Sequence, residues 1–156
     1  MFIERFYKQM IMKKILQLFL ILFVSLSVIG CSKDDPIPER LEVTINNQDL
    51  VFNSIFVDRQ GSNNSRYFTA VINNNTSRVI NFYANVGDDS VANFTYTIRG
   101  KVYKQLQDSD FLNTNISVNT NARFTMTFSG VLSSFNAVTE SYETIELTDG
   151  FMDVEY

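Results

Sequence analysis

The sequence predicts an all-β fold, an antiparallel β-sandwich that follows an N-terminal signal helix and a short linker. Three observations predict it. Apolar and polar residues alternate with a period of two in several runs, which gives a strand one dry face and one wet face. Asn, Asp and Gly clusters punctuate those runs at intervals near a dozen residues, the spacing of short antiparallel strands. Beyond residue 40 the apolar set is dominated by β-branched and aromatic side chains, with few leucines and alanines, so helix support is weak. Alternation does not separate a sandwich from a closed barrel, and the barrel stands as the alternative closure.

The elements follow in order. Leu41, Val43 and Ile45 alternate with Glu42 and Thr44, Asn46-Asn47 reads as a turn, and Leu50-Val51-Phe52 resumes the apolar run. Arg66 to Ile72 and Arg78 to Val86 read as strands joined through Asn73-Asn74-Asn75, and their consecutive apolar residues predict strands covered on both faces. Phe94, Tyr96 and Ile98 form the next face, with Gly100 as a bend or bulge before Val102 and Tyr103. Lys104 to Phe111 lacks strand character and reads as a loop or a single helical turn. Phe124, Met126 and Phe128 point one way, and Gly130 is expected to relax that strand. Glu143, Ile145 and Leu147 belong to the last run, with Asp149-Gly150 read as a tight turn into Phe151 to Tyr156.

Ahead of this domain, residues 15–29 read ILQLFLILFVSLSVI after Lys13-Lys14. A charged start, an apolar stretch of about 15 residues and a small residue before a cysteine make a bacterial lipoprotein signal, and a spanning helix would need about 20. Gly30 and Cys31 mark the cleavage site, and Cys31, the only cysteine, would carry the lipid. The chain therefore divides into 1–11, an extended or mis-assigned start before Met12; 12–30, the signal; 31–40, a lipidated tether; and 41–156, the β domain. Ser32-Lys33-Asp34-Asp35 follows the cysteine. This run resembles the lipoprotein export signal of Bacteroidota, which implies the outer face of the outer membrane.

The resemblance extends over the mature chain, more loosely in the middle than at its two ends. A first strand that enters an Asn-rich turn and an aromatic (Ile45-Asn46-Asn47 to Phe52), and a Thr127 to Gly130 strand answered by Ile145 to Val154, are similar to the small β-sandwich lipoproteins of Bacteroidota. Members of that group end in a Thr-Asn-Gly-x-Phe-type turn; here Thr148-Asp149-Gly150-Phe151 has Asp for Asn and no spacer. The resemblance implies fold and location and carries no activity.

Composition narrows the chemistry. After Cys31 the chain has nine Lys and Arg against sixteen Asp and Glu, near −7, so no basic stripe is available for nucleic acid. The membrane contact is expected through the N-terminal lipid alone. There is no histidine, which removes the usual general base near neutral pH, the commonest metal ligand and the middle of a nucleophilic triad. With Cys31 committed to lipid, thiol catalysis and ordinary zinc sites drop out too. Carboxylate pairs are what is left: Asp88-Asp89 after Gly87, and Asp108 and Asp110 around Ser109. They fit solvated turn formers better than a glycosidase pair or a calcium loop, since neither run has an ordered ligand pattern. No enzyme activity, metal or cofactor is expected. Asp89-Ser90-Val91 resembles the Asp-Ser/Thr-aliphatic O-glycosylation acceptor of Bacteroidota, which makes Ser90 a candidate modification site. Two roles follow. The domain is a non-catalytic surface module for a glycan or protein partner, with an exposed aromatic patch or groove on one sheet; alternatively it is a structural or protective protein, such as a hydrolase or toxin inhibitor, acting through the Lys104 to Phe111 loop.

Overall fold

Paired residues in the left-handed region organise the chain. β1 (Arg40–Ile45) turns into β2 (Gln48–Phe52) through Asn46 and Asn47, with φ of 48° and 63°. Ile45 pairs directly with Gln48, so the loop has two residues, and two successive positive φ values give the reversal whose twist suits a hairpin. The same device joins β4 (Ser65–Ile72) to β5 (Asn75–Asn85) through Asn73 and Asn74, and β6 (Ala92–Ile98) to β7 (Lys101–Tyr103) through Arg99 and Gly100. Asparagine tolerates this conformation because its short side chain bonds locally. Gly100 is thus a turn residue rather than a bulge.

A computed structural model describes residues 39–61 and 64–156. The signal segment 12–30, the start at 1–11, Cys31 and its flanking residues lie outside the described residues. The remaining strands are β3 (Ser54–Gln60), β8 (Phe111–Asn119), β9 (Arg123–Asn136) and β10 (Ser141–Glu155). They form two antiparallel five-stranded sheets, β2-β1-β10-β9-β8 and β3-β4-β5-β6-β7, packed face to face as a sandwich. Among the described residues there is no helix.

The chain changes sheet at two corners. Asn53 separates β2 in the first sheet from β3 in the second, and its Oδ1 and Nδ2 bond the backbone N–H and the Oδ1 of Asn73. At the other corner Lys104, just past β7, pairs with Ser133 of β9, and the chain then runs on into β8 beside the same strand. These crossings draw the edges together without merging the sheets.

Between the sheets lies an aromatic core. Phe68 and Phe82 of the second sheet stack with ring centroids 4.8 Å apart, and Phe124 of the first sheet sits 4.7 Å from Phe68 and 5.7 Å from Phe82. Phe94 extends the stack to Phe128, 5.3 Å away. The core cluster runs from Leu41 to Val154, and Ile37–Tyr156 is a compact unit that closes this core with its own residues.

Three expectations are corrected. Asp149-Gly150 is not a turn: β10 runs unbroken from Ser141 to Glu155, and a bulge sets Thr148 and Asp149 against the single Ser129. Asp149 takes φ 51°, the left-handed residue such a bulge uses. Gly130 does not relax β9, which is continuous; it lets β8 cross closely, since a Cβ there would overlap the Phe111 carbonyl oxygen. The β4 and β5 strands face the core on one side only; on the other, Val71 is buried, while Tyr67 and Tyr83 are half-exposed and pack on each other, 4.6 Å apart.

Candidate functional site

The outward face of the β2-β1-β10-β9-β8 sheet carries the features that the core does not explain. Along β9 the residues 125, 127, 129, 131, 133 and 135 point outward, while Phe124, Met126, Phe128 and Leu132 point into the core. Three regions follow one another along this face.

Nearest the start of β1 lies an ion pair. Arg123 donates Nε to Oδ1 of Asp153 at 2.9 Å and a terminal nitrogen to Oδ2 at 2.7 Å, and Thr125 Oγ1 donates to Oδ1 at 2.9 Å. The Arg123 hydrogen bonds hold the Asp153 carboxyl below its ordinary value, against the opposing effect of burial, with Thr125 assisting.

In the middle, the 105–110 loop is strapped to the sheet. Asp110 Oδ2 accepts the N–H groups of Leu106 and Gln107 at 2.8 and 2.9 Å, and its Oδ1 accepts the Ser133 hydroxyl at 2.7 Å. Gln107 Nε2 donates to Ser133 Oγ at 2.7 Å, so an outward serine is fully buried under the loop. Burial opposes the charge on Asp110, but these donors outweigh it and the carboxyl is held below its usual range. The segment expected to be a loop or a single helical turn is a loop clamped to the sheet, with Lys104 in a bridge at one end and Phe111 opening β8 at the other.

At the far end stands the β9–β10 hairpin tip. Phe135 and Tyr142 are cross-strand partners with ring centroids 5.2 Å apart, yet they are 51% and 48% exposed, and Val138 at the turn is 92% exposed. The tip is held in shape: Asn136 Oδ1 accepts the N–H of Val138 at 3.0 Å, and the hydroxyls of Thr139 and Ser141 bond each other at 2.8 Å. Behind it, Lys101 of β7 meets Glu143 at 2.7 Å, and this pairing lowers the Glu143 carboxyl and ties the two sheets together. Arg40 pairs with Asp153 and Asn136 with Ser141, so β1 begins about 35 Å from the tip at ~3.3 Å per residue.

The other candidates sit apart from this face. Ser90 and Asp89 are exposed in the β5–β6 loop. Asp88 is a loop former: its Oδ2 accepts Asn85 Nδ2 at 2.9 Å, and Asn119 Nδ2 bonds the carbonyls of Asn85 and Asp88. Asp108 is exposed while Asp110 is buried and fully bonded, so they form no carboxylate pair facing one space. Among the described residues no three of His, Cys, Asp and Glu gather in a metal-holding group. Tyr96 and Tyr103 belong to the core. Gly30, Cys31, Ser32, Lys33, Asp34 and Asp35 lie outside the described residues. The hairpin trio was not anticipated, because Phe135 and Tyr142 read like any strand aromatics; the available signal was the Asn136-Ala137-Val138 turn between them.

No protein-family model matches the chain, and no curated protein or solved structure matches it significantly.

The carboxylates predict the acid response. Asp110 and Asp153 have lowered values in the folded protein, so their stabilisation is complete above the unfolded value of about 4 and is lost as pH falls through the lowered folded values. Without histidine no side chain of ordinary pKa titrates between about pH 5.5 and 8. The melting temperature is expected to be flat across that window and to fall below pH about 4, with a shallower fall in Asp153→Asn. Thermal melts in a pH series measure this, and an equally steep acid limb in the variant would contradict it.

Proposed function

We propose that this chain is an outer-membrane lipoprotein of the small Bacteroidota β-sandwich kind, anchored by lipid on Cys31 and displayed at the cell surface. Its sandwich is a non-catalytic domain that engages a protein partner through the β9–β10 tip. The observation that carries the binding role is the exposed Phe135, Val138 and Tyr142 trio on a hairpin whose own polar groups bond one another. Exposed apolar groups gathered in one patch mark interaction sites, and aromatic anchors dominate interface energetics. A protein fits better than a glycan, because sugar hydroxyls need convergent polar groups, and the Thr139 and Ser141 hydroxyls are already paired.

Position supports the same reading. The β domain begins at the end of the sheet opposite the tip, so a tether there would leave the tip directed outward. In the protective alternative a loop enters another protein's cleft; the strapped 105–110 segment suits that poorly, and the same tip would take the role.

Acyl labelling, membrane fractionation and partner capture on whole cells test both halves. Cys31→Ala is expected to abolish acylation and membrane retention, and unchanged labelling would sink the anchor. Replacement of Lys33, Asp34 and Asp35 by alanine should keep the lipid and reduce protease access from outside. The Phe135→Ser/Val138→Ser/Tyr142→Ser chain should remain lipidated and lose a specific partner by about 30-fold or more in affinity. Undiminished binding would remove the tip from the function and spare the anchor.

A further inference from the structure

We infer that β8 is a self-pairing edge, through which two copies of this domain join antiparallel about a two-fold axis at Thr114. Four strands end the two sheets, and natural edges are guarded by charge, proline or brevity. Asp49 lies on β2, Asp58 and Arg59 lie on β3, and β7 has three residues including Lys101. Phe111–Asn119, by contrast, reads FLNTNISVN, nine residues with neither charge nor proline.

The sequence of this edge fits its own reverse. Leu112-Asn113-Thr114-Asn115-Ile116 is nearly palindromic about Thr114. Pairing residue 114 with its copy sets Leu112 opposite Ile116 of the second copy, Asn113 opposite Asn115, and Phe111 opposite Ser117. Side-chain direction agrees, since Leu112, Thr114 and Ile116 are half-buried toward the core side while Phe111, Asn113, Asn115 and Ser117 are exposed. A two-fold pair puts like faces together, apolar against apolar and amide against amide, and a shift by one residue would set amide against apolar.

Length is compatible. β8 pairs regularly with β9 from Phe111 to Ile116, and a bulge at Ser117 ends that stretch, so its midpoint falls between Asn113 and Thr114, within one residue of the axis. Beyond it Asn119 is occupied by the β5–β6 loop, through Gly87 N–H to its carbonyl and its own Nδ2 to Asn85 and Asp88. Charge at the edge does not oppose the same occupant. The chain beyond Cys31 is strongly acidic, so two copies approach most easily along an edge that bears no charge.

Pairing has a consequence for the outer face. A shallow depression of about 490 Å³ borders β8, lined by Asn113, Asn115, Thr127, Ser129, Asp149 and Phe151 among others. In the pair, two depressions meet across the axis and the asparagine row continues from one copy into the next.

The 37–156 segment closes its own core and contains no cysteine, which makes it the species to measure. An edge contact of this size gives a weak dimer, so sedimentation velocity should run to about 0.5 mM and is expected to show a monomer–dimer equilibrium. Asn113→Lys/Asn115→Lys places like charges in both cross-copy pairs and should be monomeric; Asn113→Lys/Asn115→Glu places opposite charges in both and should dimerise at least as well as the parent. Both positions are exposed, and unchanged circular dichroism and melting would confirm folding. Thr114→Cys, then the sole thiol, should oxidise to a covalent dimer roughly tenfold faster than Ser90→Cys, because pairing raises its effective concentration. A segment that stays monomeric throughout the series overturns the assignment, whether a foreign strand or nothing covers the edge. Equal dimerisation of the two charge variants, or cross-linking of Thr114→Cys no faster than Ser90→Cys, does the same.

Discussion

Phe68→Ala is expected to destabilise the domain by about 3–5 kcal/mol, the range for a phenylalanine removed from a close-packed core. Phe68 is fully buried and touches both layers: Phe82 on its own sheet, Phe124 on the other, and Tyr156 edge-on at 5.9 Å. Its loss leaves a void bounded by rigid rings fixed on strand backbones, which collapse less readily than flexible side chains. Domains of this size have about 5–15 kcal/mol in total, so the variant should lie close to the unfolding threshold. Urea unfolding with unchanged m measures the effect. Phe135→Ala serves as the comparison, since an exposed ring should change stability by no more than about 0.5 kcal/mol. Similar losses in the two variants would contradict the core described here.

Gly130→Ala is expected to cost about 1–3 kcal/mol, as overpacking does in a close-packed region. The added methyl would overlap the Phe111 carbonyl oxygen and lie 3.1 Å from the Leu112 Cα, both of them backbone atoms of β8. No side-chain rotation relieves that contact, so β8 must move away from β9. Hydrogen exchange should therefore quicken first in β8 and at the Asp110 clamp, while the β4–β5 hairpin in the other sheet stays protected. Uniform loss of protection would point to a global effect instead.

What the sequence reveals depends on how local the determinant is. Asn46-Asn47 and Asn73-Asn74 are turns because each pair favours positive φ, a property of those residues alone. Asp149-Gly150 looks the same locally, and Asp149 does take positive φ, but β9 and β1 flank β10 on both sides and hold it straight. The residue thus specifies a conformation, and the neighbouring strands decide whether the chain reverses or bulges. β8 was not read as a strand because an edge strand buries little: only Leu112 and Ile116 lean on the core, amid three polar asparagines and a threonine. β3 was missed for the same reason, being a weakly buried edge. Sandwich rather than barrel was undetermined because alternation is common to both; the strand order decides it, since it leaves two separate sheets linked only by an isolated bridge at Lys104.

The exposed aromatic patch was legible in kind and not in place. An exposed aromatic patch on one sheet is expected from the sequence, but Phe135 and Tyr142 differ from core aromatics in standing on the outward face of the sheet, beyond the part of it that the 105–110 loop covers. Exposure of that sort depends on which face of the sheet a distant segment covers. The Asp110 clamp was hidden likewise, because its partner Ser133 lies 23 positions away.

Strand order also governs when the domain can fold. β10, the tenth strand in chain order, lies between β1 and β9, so before it arrives the first sheet exists only as two separate fragments, β1 with β2 and β8 with β9. A chain lacking β10 has no continuous first sheet to close the core, so closure waits for the residues of β10, Ser141–Glu155. Contacts between distant parts of a β chain form late and slowly. The first strand made must wait for the last, so the order of the strands in the sheet sets closure of the core near the end of synthesis.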